Sequence, residues 1–172
     1  MMTLEQRNNC EKLATVIAGL PEGQCNMQHW VTDATLLTDG TMYHLPPIEQ
    51  RGKPGCGTAA CMGGWAVTVL TPALRTYGGT VVLPVEWAMK HDLYSRSYYD
   101  NITDPIPTAG YSIKEVGRVV LGDPIADQFL YMDYPKYRGM TDKEWMLDRL
   151  RDAVHRFDAG EYSMVSDDSS YE

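Results

Sequence analysis

The chain has 172 residues, 44% of them hydrophobic and 22% charged, with a formal net charge of −8. That length suits one domain burying roughly two thirds of its unfolded surface, and no run approaches the roughly eighteen apolar residues that mark a membrane span. Acidity without a basic stripe argues against direct binding to nucleic-acid phosphates, and the N-terminus does not read as a signal peptide, so a cytoplasmic protein is expected.

The spacing of Leu13, Val16, Ile17 and Leu20 predicts an amphipathic helix over Leu4 to Gly19, closed by Gly19 and Pro21. No helical period survives from Pro21 to Gly55. A turn at Asp39-Gly40 there predicts a short hairpin whose second strand is Thr41 to Leu45, stopped by Pro46-Pro47. Gly52 to Gly55 reads as a mobile loop. A helix is expected from Thr58, its N-cap, to about Leu70 before Pro72. It is apolar nearly all round, so it should be the central buried helix. Gly63-Gly64 costs it roughly 1 kcal/mol per glycine relative to alanine, a cost tolerated where a backbone or ligand comes close.

Gly78-Gly79 marks a turn before a short strand at Thr80 to Leu83, and Pro84 opens a helix carrying Trp87, Ala88, Met89 and His91. Tyr94 to Pro107 is a polar, aromatic loop long enough to suggest function. Ser112 with Glu115 predicts a capped helix ending at Gly122, and Asp123-Pro124 starts another that carries Ile125, Phe129 and Leu130. Tyr131 to Gly139 is a second aromatic loop. Thr141 with Glu144 caps a last helix striped by Met146, Leu150, Ala153, Val154 and Phe157 and ending at Gly160. The expected fold is therefore mainly α within the α+β class, a single domain over 1–162 of about six helices with a few short strands. The segment 163–172 is expected to be a disordered acidic tail.

Eleven Tyr and four Trp against two Phe favour half-buried walls and binding surfaces. The four cysteines, Cys10, Cys25, Cys56 and Cys61, should stay reduced. Cys56 and Cys61 are spaced C-x4-C, not C-x2-C, and a set completed by Cys25 and His29 is fixed by nothing in the pattern, so neither a metal nor a cofactor is expected.

The stretch Gly55-Cys56-Gly57-Thr58-Ala59-Ala60-Cys61-Met62-Gly63-Gly64-Trp65-Ala66, preceded by Cys25-Asn26-Met27-Gln28-His29-Trp30, carries a resemblance. It resembles a family of small, mostly uncharacterised bacteriophage and prophage proteins with a C-G-T-x-x-C-[IM]-x-G-W-A motif. The likeness continues through Leu121-Gly122, Ala126 to Leu130 and the Thr141-capped helix. The longer span between Trp30 and Cys56 departs from that family, as does Met62-Gly63 where Ile-Ala is usual. The resemblance implies a phage protein acting in an infected bacterium, in host interaction or counter-defence, and implies no activity.

Three functions follow. In the first, the helix start binds and sequesters a small anionic, nucleotide-like ligand. Its residues are Gly57, Thr58, Ala59, Cys61 and Trp65, with Arg96, Tyr98, Tyr99 and Arg138 adding charge and stacking from the loops, and Arg51 or Lys53 as further cations. The second is a non-enzymatic inhibitor that binds a host bacterial protein through an acidic, aromatic surface. In the third, a papain-like cysteine hydrolase uses Cys56 as nucleophile, His91 or His44 as base and Gln50 at the oxyanion. Trp does not follow the cysteine as that family's pattern requires.

Overall fold

The computed structural model describes residues 1–37, 41–94, 104–126 and 139–162. Six helices and six short strands among them make a mixed α+β fold. Helix α1 spans Leu4–Ala18, and Thr3 closes its start by a reciprocal pair: Gln6 N–H donates to Thr3 Oγ1 at 3.1 Å while Thr3 N–H donates to Gln6 Oε1 at 2.9 Å. Its inner face buries Cys10, Leu13, Ala14 and Ile17, as the apolar spacing predicts.

Strands β1 (Val31–Asp33) and β3 (Thr58–Ala60) pair antiparallel, with Thr32 opposite Ala59. Strands β2 (Met42–His44), β4 (Arg75–Tyr77), β5 (Thr80–Pro84) and β6 (Thr108–Ser112) form a second antiparallel sheet in the order β2-β4-β5-β6. The expected hairpin is therefore corrected. The strand within Thr41 to Leu45 pairs with β4, not with the chain before it, and Asp39-Gly40 lies outside the described residues. Turn chemistry is local, whereas β1 gains burial of Val31 and Thr32 against β3 that the exposed β2 does not offer. The hairpin that does form is β4–β5, turning on Gly78-Gly79 with Gly78 at φ +53°.

The central helix is also corrected. Thr58–Ala60 is strand, and helix α2 runs Met62–Leu70 with Cys61 as its N-cap. A run apolar on every side carries no period to mark where strand gives way to helix. Centrality itself holds, since Met62 through Thr68 are all buried. Helices α3 (Val85–Lys90), α4 (Ile113–Leu121), α5 (Asp123–Ala126) and α6 (Asp142–Asp158) complete the described elements. Phe129 and Leu130, the two aromatic loops in large part and the 163–172 tail lie outside the described residues.

The inner face of the larger sheet, Val81, Leu83, Ala109 and Tyr111, joins α1, α2, α4, α5 and α6 in one core. Helix α1 lies against α6 and α4, and α2 lies against α4. The carbonyls that end α4 have no partner within their own helix. Side chains of α1 supply them: Gln6 Nε2 donates to Val119 O at 3.0 Å, Asn9 Nδ2 to Val120 O at 2.9 Å and the Cys10 thiol to Leu121 O at 3.5 Å. At the other end of the domain, α6 is held to the segment after α1 by Lys143 Nζ on Leu20 O at 2.6 Å and by Met27 N–H on the Asp142 carboxylate at 2.9 Å.

At Gly64 the core packs backbone on backbone. A Cβ on Gly64 would sit 1.6 Å from the Trp30 carbonyl oxygen and 2.9 Å from the Ala60 methyl. Gly64→Ala is therefore expected to destabilise the fold by about 3 kcal/mol, a fall in Tm of roughly 10 °C for a chain of this size. Gly23→Ala, where an added Cβ meets nothing within 4 Å, should leave Tm unchanged. Equal melting of the two variants by circular dichroism would contradict the contact.

Candidate functional site

The cysteine-glycine stretch is organised by one buried side chain, Gln24. Its Oε1 accepts from Gly55 N–H at 2.9 Å, and its Nε2 donates to Thr58 O at 3.0 Å and to Cys56 Sγ at 3.3 Å. The Gln24 carbonyl takes the indole N–H of Trp65 at 2.8 Å, so one residue ties the loop, β3 and α2 together. The Thr58 hydroxyl is engaged with Tyr43 OH at 2.7 Å. Cys61 N–H donates to His29 O at 2.8 Å, and Cys61 Sγ accepts from Gly64 N–H at 3.3 Å as the helix cap.

These bonds decide how the predicted residues are disposed. Thr58, Ala59, Cys61 and Trp65 are 0% exposed, so no solvent-facing surface remains at which an anion could rest on them. Gly57 is exposed, at φ +86°. The helix start expected at Thr58 is thus corrected: Thr58–Ala60 is a buried strand, and the start of α2 behind it is capped by the Cys61 sulfur. Arg96, Tyr98, Tyr99 and Arg138 lie outside the described residues.

The candidate hydrolase residues lie on a loop, a 3-10 turn, a helix end and an edge strand. Cys56 is half-buried beside Gln24, a partner the sequence reading did not select. Gln50 is exposed on the 3-10 turn Ile48–Gln50. His91 ends α3, its ring stacked 4.0 Å from Trp87 and its Nδ1 2.9 Å from the Trp87 carbonyl. His44 lies on the edge strand β2, on the side of the sheet that carries Arg75 and Asp104. Burial pushes the Cys61 thiol up to about 12, and does the same for Cys10 and Cys25. A thiol that keeps its proton so strongly is not a nucleophile at neutral pH. Among the described residues no group of three or more His, Cys, Asp or Glu could hold a metal ion.

Among the described residues an open apolar concave surface lies elsewhere, between the start of α3 and the segment before β6. Pro84, Val85, Met89, Ile106 and Pro107 line a groove of about 580 Å³, with Glu86 and Lys90 on its rim. Met89 is 70% exposed and Ile106 50% exposed, and the rim charges pair at 3.6 Å. The sequence reading placed Met89 on a helix and Pro107 at a loop end without joining them. The available signal was Met89 itself, one position past the buried Ala88 and off that helix's inward face.

No family model matches the chain, and neither a curated protein nor a solved structure matches it. Among the described residues no helix is long and apolar enough to cross a membrane.

Two outcomes test the thiol environments. In the native state a disulfide reagent should modify one thiol per chain rapidly, Cys56, and Cys56→Ser should abolish that phase; two or more fast thiols would overturn the burial of the rest. Cys10, Cys25 and Cys61 carry raised values in the folded chain, against an ordinary 9.0. Between about 9 and 12 the unfolded chain therefore binds fewer protons than the folded one, and stability falls as pH rises through that window. The denaturant midpoint should be level from pH 7 to about 8.5 and decline above 9, and a level midpoint to pH 11 would count against buried, protonated thiols.

Proposed function

We propose that this is a non-enzymatic binding protein that engages a protein partner through its surface, with the α3 groove as the anchor point. The observation that carries the reading is the groove itself: a concave apolar surface with Met89 and Ile106 exposed, on a chain whose cysteine-glycine motif is consumed in packing. Concave apolar surface rimmed by polar groups is what a protein partner's apolar side chain fills. Methionine adapts its shape to the occupant at little cost. The occupant we infer is an apolar segment with basic flanks, since the chain's net charge of −8 steers basic partners towards it. The resemblance to phage proteins supports a bacterial host protein as that partner and host interaction or counter-defence as its setting.

A photo-crosslinking residue placed at position 89 tests this. In a bacterial lysate it should capture one predominant polypeptide; the same residue at exposed Ile48 should not, and Ile106→Asp should lower capture at least tenfold with Tm unchanged. Equal capture from both positions would overturn the groove as the anchor. A small anionic mass retained in native mass spectrometry and released on denaturation would instead favour ligand sequestration.

A further inference from the structure

One wall of the groove is a short arch, Asp104-Pro105-Ile106-Pro107, leading into β6. Two of its four residues are prolines, whose φ is fixed by the ring, so few backbone torsions remain to be set. The arch is tied at both ends. At the far end the Pro107 carbonyl accepts from Val85 N–H, the first residue of α3, at 3.0 Å. At the near end the Asp104 carboxylate takes both arms of the Arg75 guanidinium, Nη1 to Oδ1 at 3.2 Å and Nη2 to Oδ2 at 3.0 Å, while Thr108 Oγ1 donates to Oδ2 at 2.6 Å.

That second tie is protected from water. The side chains of Arg75 and Asp104 are 6% and 13% exposed, on the sheet face away from the core, where Arg75 stands between His44 and Val82 across the strands. A bidentate guanidinium–carboxylate pair fixes orientation as well as distance. The Thr108 bond closes the arch from residue 104 to residue 108, and Ile106 at its crest projects half-exposed into the groove. Asp104 itself is not among the groove-lining residues.

We propose that Asp104 is a positioning residue for partner binding: through Arg75 and Thr108 it holds the proline arch so that Ile106 and Pro107 stand as a preformed wall of the groove. This rests on the groove being the anchor point. Preforming the wall removes the ordering cost that a loose segment would charge against affinity. Loss of the carboxylate then weakens binding without altering any lining side chain.

The test compares Asp104→Asn with the wild-type full chain, using Thr108→Val as the milder second variant should Asp104→Asn not fold. The first readout is amide exchange by NMR at Val85, whose N–H holds the arch, with Leu74 as reference because its N–H donates to Val82 O within the sheet at 3.0 Å. We expect Val85 to exchange at least tenfold faster while Leu74 changes less than twofold. Unchanged Val85 protection, or Val85 and Leu74 falling in step, would overturn the inference, the latter showing a structural role only. The second readout is capture by the photo-crosslinker at position 89 in a bacterial lysate, expected to drop at least fivefold. Capture that survives Asp104→Asn overturns the inference alone. No capture by the wild-type frame overturns the groove reading, and the role of Asp104 in recognition with it.

Discussion

The contact between Gly64 and the Trp30 carbonyl sets the distance at which α2 crosses the 24–30 segment, and the rest of the core is arranged around that distance. Only a residue without a Cβ permits it, because an added carbon would lie 1.6 Å from the Trp30 oxygen. With the backbones that close, the Trp65 indole reaches the Gln24 carbonyl, the Cys61 sulfur reaches the Gly64 N–H, and the Cys61 N–H reaches His29. The donors on Trp65, Gly64 and Cys61 are buried and would be costly if left unpaired. The conformational cost of a glycine within a helix is thus offset by a set of satisfied polar groups.

The same logic explains how the cysteine-glycine motif is bonded to the rest of the protein. Gln24 uses its amide on Gly55, Cys56 and Thr58, so these three polar groups are satisfied within the protein. Cysteine at the cap of α2 accepts a backbone N–H where serine or aspartate is the common choice. Its sulfur suits a site with no water, being small, polarizable and only weakly polar. Elsewhere a thiol does a similar structural task, Cys10 capping the end of α4 from α1 alongside Gln6 and Asn9. Burial holds both thiols protonated, and protonated thiols serve as donors or packing groups.

Elsewhere the fold leaves apolar surface facing water. The α3 groove collects such surface at a corner where a hairpin strand, a short helix and a proline arch converge. Short helices bury little of their own circumference, which is how Met89 remains outside while Ala88 is inside. The ion pair that ties the arch sits on the outer side of the sheet and is not itself part of the groove lining.

By itself the sequence determined the elements whose signals are local. The stripe of α1, the Thr141 cap and Gly160 stop of α6, the Ser112 cap of α4 and the Gly78-Gly79 turn all depend on neighbours within a few residues. It also determined that α2 is central, because no polar face is available to turn outwards. Tertiary structure alone decided strand pairing. Strand β3 meets β1 across 24 intervening residues, β6 sets Ala109, Gly110 and Ser112 around Tyr111 and so reads weakly as a strand, and β2 leaves its expected hairpin for β4. Pairing is chosen by which faces can be buried together, a property of the assembled core and not of any window of sequence. The candidate site follows the same division. The motif's importance was legible in its glycines and cysteines, but whether those residues face a ligand or one another depended on Gln24 and Trp30. The groove was not legible at all, since Met89 and Ile106 are 17 positions apart and become neighbours only when Val85 meets Pro107.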